Sequence, residues 1–473
     1  MVKFDPPLAT AKRTMLTNVF FHTSTSKDSL SGGKLQKCSP SWLLPQLGTL
    51  VALAGLCNPA QAQLQIPEPL APGLNPTQSN MDRVIRIVCP QGVAGQEFQE
   101  RCNALVGGSQ EAPDQVRNAL QRVSPEQIIS QGTESTKAVR NMQFNRLFAL
   151  RTGAPGLLTY NMEGQPTAVS WSPGHGTGGA ASADGSDMWS RLGIFINGLG
   201  GFGDVDSTFN QLGFDFESSG VVAGVDYRFT DNFILGLAFN YLNTDTDFDR
   251  EGGELDSDSY SGSIYGTFYA TNSFHLDWVA TYGEINYDSI RNISYAVPGD
   301  VVNTQSTSSP DGDQFSAAIS AGYDFSLNAL TISPYVRGEY INLEVNSFNE
   351  QDPLGWGVRY SDQDIESVTT VVGTQIAYAI STQHGVVQPF IRGEWFHEFE
   401  DDSRNISTTF VQDPTRERFN IVTEGPDRNF YTFGVGVSGT FAKGVSAFFN
   451  YDVLLDREDV SSHMFMIGAR MEL

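Results

Sequence analysis

An all-β transmembrane barrel of about twelve antiparallel strands, preceded by a short α-helical segment, is the fold this sequence predicts, and three observations carry it. From residue 188 to Leu473, short segments alternate strictly between apolar and polar side chains. Successive side chains of a strand point to opposite faces, so this pattern needs lipid on one side and a wet lumen on the other. Mean hydropathy is −0.23 and no run of 18 apolar residues occurs, which excludes a bundle of membrane-crossing helices. Glycine (47 residues) and aromatic residues (11%) are abundant, as close strand packing and interfacial girdles require.

In chain order, residues 1–62 read as an export signal. Lys34 and Lys37 precede an apolar stretch from Trp42 to Leu56, and Ala60-Gln61-Ala62 has the small-x-small form of a cleavage site, which predicts a cut between Ala62 and Gln63. The residues ahead of Lys34 make this an extended signal or put the true start further downstream. Ala54-Gly55-Leu56-Cys57 is a poor lipidation motif, because Leu56 is too bulky for the position before the cysteine. The signal takes six basic and only two acidic residues with it, so the mature chain is more acidic than the formal −25. Such a field repels nucleic acid, which excludes that class of partner, and suits hydrated acidic loops that recruit divalent cations.

Residues 63–132 form a short helical segment. Helical spacing runs over Gln96–Val106, Asp114–Val123 and from Pro125 to Leu150, the last opening with the N-cap and first-turn proline Ser124-Pro125-Glu126. Cys38 and Cys57 leave with the signal, so Cys89 and Cys102 remain as an even pair in an exported chain. A disulfide between them closes a short loop and is worth about 3 kcal/mol to a segment without a large core. No histidine lies near the pair, and neither a metal nor a cofactor is expected.

Residues 133–187 supply a pore helix and a linker. Glu134–Arg151 sets Val139, Met142, Arg146 and Phe148 among polar residues with no clean apolar stripe, which suits threading a polar lumen. Gly153–Asp187 is rich in Gly, Ala, Ser and Pro, and a flexible coil of that length spans on the order of 30 Å.

The barrel fills 188–473. Twelve strands follow one another from Trp189–Leu199 to His463–Leu473, with tight turns such as Thr230-Asp231 and Ala442-Lys443-Gly444 alternating with long loops, Asn292–Asp313 and Asp401–Arg428 among them. On the last strand Phe465, Ile467, Ala469, Met471 and Leu473 share one face, the lipid face, and Gly468, Arg470 and Glu472 the other. The Arg-x-Glu pair recurs as Arg337/Glu339, Arg392/Glu394 and Arg470/Glu472. All six side chains are predicted to point into the lumen and pair across neighbouring strands along one wall.

Several enzyme-like motifs dissolve on inspection. Gly198-x-Gly200-x-x-Gly203 has the letters of a dinucleotide fingerprint, but no helical period follows it, so it reads as a strand running into a loop. Asp245, Asp247 and Asp249 alternate as in a calcium loop, yet Arg250 stands where glycine is needed. Alternation sends His397 outward and Glu398 inward, so with Asp401 and Asp402 they do not converge. No G-x-S-x-G elbow is present, and His175 reads as solvated. No catalytic residue is predicted.

The stretches GVVAGVDYRFTDNFILGLAFNY (Gly220–Tyr241), SPYVRGEY (Ser333–Tyr340), QPFIRGEWFHEFED (Gln388–Asp401) and the terminal GARMEL resemble motifs of the autotransporter β-domain, the translocator of type V secretion. The resemblance covers the barrel, about 60% of the chain. It implies a twelve-stranded barrel with a helix through its lumen, seated in the outer membrane of a Gram-negative bacterium and exporting residues 63–132 as a passenger to the cell surface. Implied partners are outer-membrane lipid and lipopolysaccharide, the outer-membrane assembly machinery and periplasmic chaperones, with the protein itself a monomer. Phe465, Ile467, Met471 and Leu473 match the C-terminal assembly signal, although Leu473 stands where an aromatic residue is usual. A passenger of about 70 residues is short for a β-helix or a hydrolase domain, so the expectation is a protein that is not an enzyme. The alternative expectation is a stand-alone outer-membrane pore or adhesin, with the N-terminal helices as plug or periplasmic domain.

Overall fold

The alternating segments become strands long enough to cross a bilayer. In the computed structural model, which describes residues 68–126, 159–160, 166–167 and 191–473, twelve of them form a closed antiparallel barrel. These are β1 (Leu192–Val205), β2 (Phe214–Thr230), β3 (Phe233–Phe248), β4 (Gly253–Tyr269), β5 (Phe274–Val297), β6 (Asp311–Tyr323), β7 (Leu330–Val345), β8 (Gln363–Tyr378), β9 (Gly385–Glu398), β10 (Asn429–Phe441), β11 (Val445–Leu455) and β12 (Val460–Glu472). Each pairs with its neighbour in sequence, and β12 closes on β1 in a register running from Val460↔Val205 to Glu472↔Gly193. The signal with Ala62 and Gln63, the pore helix Glu134–Arg151 and most of the linker lie outside the described residues.

The outer face is apolar: Ile196, Leu237, Phe239, Ile319 and Ile467 stand between 57% and 64% exposed with nothing of the protein covering them. On β12, Phe465, Ile467, Met471 and Leu473 all face outward, and Gly468, Arg470 and Glu472 face in. Aromatic rings bound this band. Near the tight turns Phe229 meets Tyr227 and Phe233, and towards the other end Tyr241 meets Tyr260 and Phe315 meets Tyr340. Phe233 and Tyr241 are eight positions apart on β3, about 27 Å along a strand and about 20 Å along the axis at a usual tilt. That comes close to the height of an outer-membrane apolar band, about 25 Å. Among the described residues no helix is long and apolar enough to cross a membrane.

The strands overshoot the band on the long-loop side. The stretch Asn292–Asp313, expected as a loop, is largely β-structure: β5 continues to Val297 and returns as Asp300–Ser308, paired from Val297↔Asp300 to Ser289↔Ser308. The loops between β7 and β8 and between β9 and β10 contribute four short strands, Phe348–Asn349, Val358–Tyr360, Asn405–Phe410 and Phe419–Val422, to a separate sheet. Gly198–Gly203 is also strand throughout, since β1 extends to Val205. Asp245 and Asp247 are outward positions of β3 rather than loop ligands.

Three helices precede the barrel: α1 (Pro76–Val88), α2 (Gln96–Gly108) and α3 (Pro113–Val123). The first was not anticipated. It starts at a capping box in which Asn75 accepts from Gln78 N and the Gln78 side chain accepts from Asn75 N, with Pro76 in the first turn. A short 3-10 turn, Cys89–Gln91, and Gly92 at φ 62° reverse the chain into α2.

Candidate translocation pore and surface cap

The six lumen charges all point inward, but they form two networks rather than one wall, and their partners lie two strands away. Arg337 on β7 donates to Glu339 on its own strand and, through Nη1, to Glu394 Oε1 on β9 (2.9 Å). Arg392 on β9 donates through Nη2 to Asp452 Oδ1 on β11 (2.7 Å), with its Nε 3.9 Å from Glu394 Oε2. Arg470 on β12 reaches Asp226 on β2 (Nη2 to Oδ1, 2.6 Å) and Glu472 (2.7 Å). Pairing across adjacent strands was the expectation. A glycine stands on the intervening strand beside each carboxylate that is reached: Arg392↔Gly434↔Asp452 is a single rung, and Glu394 and Asp226 lie on the rungs Tyr335↔Gly373↔Glu394 and Glu472↔Gly193↔Asp226, one inward position from Arg337 and Arg470. A Cβ at Gly373, Gly434 or Gly193 would collide with Tyr335, Asp452 or Arg470. Sequence pattern could show the direction of the arginines; Asp226 and Asp452 became partners only through register.

The half of the lumen made by β3–β6 carries His275 and Asp277 close to the start of β5, and beyond them it is lined by hydroxyls and amides. Asn240 donates to the Ser261 and Ser263 hydroxyls, Ser263 meets Thr281 at 2.8 Å, and Gln314 reaches Ser259. A charged half and a hydroxyl-lined half make a wet, polar channel interior, the surface a passing hydrophilic chain requires.

The connections 231–232, 270–273, 324–329, 379–384 and 442–444, none longer than six residues, lie at one end, together with the start of β1 and the end of β12, whereas the other end carries the long loops beside the short turns 249–252 and 456–459. The helices lie at that long-loop end. Phe98 packs against Trp356 and Phe410 with ring centroids 5.4 and 4.7 Å apart, and one buried cluster joins Met81, Ile85, Val88, Leu105 and Leu120 of the helices to Ile293, Tyr295, Val302, Ile406 and Ile421 of the barrel's extensions. Cys89 and Cys102 form a disulfide inside this shared core. Along α1, Thr77, Asn80 and Arg83 serve the open edge of the Phe419–Val422 strand: Val422 N donates to Thr77 Oγ1 (2.9 Å), and Asn80 and Arg83 donate to the carbonyls of Asn420 (3.0 Å) and Arg418 (2.6 Å). Asn75, Gln78 and Ser124 all donate to Glu126, whose carboxyl burial pushes up despite them, tying the start of α1 to the end of α3. The helices cap the mouth of the barrel.

Beside the cap, a recess of about 420 Å³ opens among the loops, lined by nine carboxylate residues, Glu398, Glu424 and Glu458 among them, against Arg404 and Arg457. His397 and Glu398 do not converge there: His397 Nδ1 lies 2.9 Å from Asn429 Oδ1, while Glu398 accepts from Ser367 and Thr369 inside.

The autotransporter β-domain model matches residues 194–452. The chain belongs to the autotransporter β-domain family. The autotransporter barrel therefore resides in the outer membrane of a Gram-negative bacterium. The translocator domain of the autotransporter NalP from Neisseria meningitidis shares its fold, with a TM-score of 0.51 at 13% identity, covering 72% of this chain and 98% of that one. Esterase EstA of Pseudomonas aeruginosa is 23% identical over 266 residues, 55% of this chain and 40% of the esterase. An extracellular serine protease of Serratia marcescens is 24% identical over 261 residues, 54% of this chain and 23% of the protease. The chain thus spans less than half the length of these curated relatives. Their names correct the expectation that the protein is not an enzyme. Relatives named as an esterase and a serine protease match over 266 and 261 residues, so the lack of a catalytic motif on the barrel strands does not speak for what such a barrel exports.

Proposed function

We propose that this autotransporter carries the segment ahead of its barrel to the cell surface and keeps the helices α1–α3 there, attached, as a small cap on the barrel mouth. The supporting observation is that the helices share one buried core with the long-loop extensions, whereas β1 starts at the tight-turn end. Outer-membrane barrels turn tightly on the periplasmic side and carry their long loops outside. Helices packed on those loops are therefore external.

An epitope inserted in the exposed turn at Gln91–Gly92 tests this. Antibody labelling on intact cells, with the label sedimenting with the cells, is the expected result. Labelling only after lysis sinks the proposal, and label recovered only in the medium shows a released segment.

A further inference from the structure

Two of the three helices do not finish their own ends. Gly95 and Ala112, at the N-termini of α2 and α3, give the first turn no side-chain acceptor. For α2 the barrel loop supplies one: Phe98 N donates to Gln412 Oε1 (3.1 Å), and Gly95 N to the Gln412 carbonyl (2.9 Å). At the far end of α3 the barrel supplies a cation. Arg291, on the outward extension of β5, donates through Nη1 to the Val123 carbonyl (2.8 Å), where the helix dipole favours positive charge.

The other donors of Arg291 are committed as well. Nε donates to Glu350 Oε1 (2.9 Å) and Nη2 to Glu350 Oε2 and the Trp356 carbonyl (3.1 Å). Glu350 also accepts from Val358 N and Tyr360 Oη, both at 3.0 Å. Both charged side chains are 1% exposed. Burial works against the charge on Arg291, yet Glu350 more than offsets it and keeps the guanidinium protonated. One side chain thus ties together the last turn of α3, the β5 hairpin and the loop after β7.

We infer that Arg291 is the positioning residue that latches the exported helices onto the barrel and so keeps its outer mouth closed. This rests on the display reading above. Before α3 arrives, the Arg291–Glu350 pair stands in water, where such a pair contributes little. Arrival of α3 and the shared aromatic core dries it, and a dry pair tolerates the loss of neither partner. The latch therefore engages only when α3 has been exported, and lifting the helices afterwards means rewetting both the charges and the rings around Phe98.

The test uses the full chain with the Gln91–Gly92 epitope, in the wild type and in Arg291→Met, Arg291→Lys and the double variant Arg291→Met/Glu350→Leu. Four quantities are read: epitope labelling on cells, protease cleavage rate of the helices on intact cells, ion conductance of purified protein in planar bilayers, and the heat-modifiability of the barrel on gels. In Arg291→Met the epitope stays outside and the barrel stays heat-modifiable, while cleavage accelerates by roughly a hundredfold and conductance rises. Arg291→Lys restores part of the protection, and so does the double variant, because it leaves no lone charge buried. Cleavage and conductance like wild type in Arg291→Met overturn the latch with the display reading intact. Loss of heat-modifiability together with the cap also overturns it, assigning Arg291 to barrel folding instead. An epitope hidden in the wild-type protein overturns the display reading, and the latch with it.

Discussion

Arg392 and Asp452 face each other across Gly434 on one rung of the barrel, Nη2 2.7 Å from Oδ1, although β9 and β11 are not neighbours. Two strand spacings amount to about 9.6 Å, a gap that a long arginine and a short aspartate close only if the side chain between them is absent. Gly434→Val is expected to sever the bridge and strand both charges inside. A broken buried pair costs about 3–5 kcal/mol, so the temperature at which the barrel unfolds on gels should fall clearly. Gly338→Ala, where an added Cβ meets nothing within 4 Å, is the control expected to match wild type.

Strand β12 is shared by two seams, pairing with β11 on one side and β1 on the other, and Leu473 N donates to the Leu192 carbonyl at the very end. Removing Phe465–Leu473 opens both seams and strips five outward apolar residues. Surface levels measured by cell labelling should drop to background. Normal levels in the truncated chain count against β12 as the assembly signal.

Mass spectrometry of the non-reduced mature protein should find Cys89 and Cys102 joined within one chain. Two free thiols, or a linked dimer, overturn this. Replacing both by serine removes about 3 kcal/mol for a loop of this size, read as faster amide exchange in α1 and α2 with the barrel strands unchanged.

Above the outer aromatic ring, Glu217, Asp245, Asp256 and Asp288 lie side by side on β2–β5. Like charges directly opposite are unfavourable, and burial, with Asp245, Glu254 and Asp288, raises the Asp256 carboxyl above its usual value. A raised carboxyl destabilises the fold when ionised, so its contribution to stability increases as pH falls through its folded value towards the ordinary carboxylate range. The protection factors of amides in the β3–β4 extensions, taken relative to the intrinsic exchange rate at each pH, should rise from pH 7.5 to pH 5, and rise on adding salt at pH 7.5. A lower protection factor on acidification refutes the repulsion.

If the latch is opened, the conductance that appears should favour cations, because nine carboxylate residues oppose two arginines in the recess at the mouth. Reversal potentials in a salt gradient decide it. Anion preference points to a path that avoids this recess.

The barrel was legible because alternation is a local signal: the outward row of β12, from Phe465 to Leu473, reads directly from spacing. What escaped depended on contacts between distant segments. Tyr295, Trp356 and Phe410 sit in stretches that read as loop, and Tyr295 and Phe410 lie on strands, with Trp356 in the connection between, where one buried core shared with the helices covers all three. The lumen partners Asp226 and Asp452 are ordinary acidic residues until register sets them beside Arg470 and Arg392. α1 was legible in principle, since Asn75-Pro76 followed by Gln78 is a helix-start signature ahead of Met81, Val84, Ile85 and Val88.

The way Thr77, Asn80 and Arg83 occupy the free side of the Phe419–Val422 strand reaches beyond a single molecule. A bare row of main-chain donors and acceptors is a template on which any extended peptide can crystallise. With that row taken by α1, and only two residues, Phe348–Asn349, at the opposite margin, this four-stranded sheet offers a neighbouring copy little to zip onto. The helix thereby acts as a guard against fibre growth from this edge.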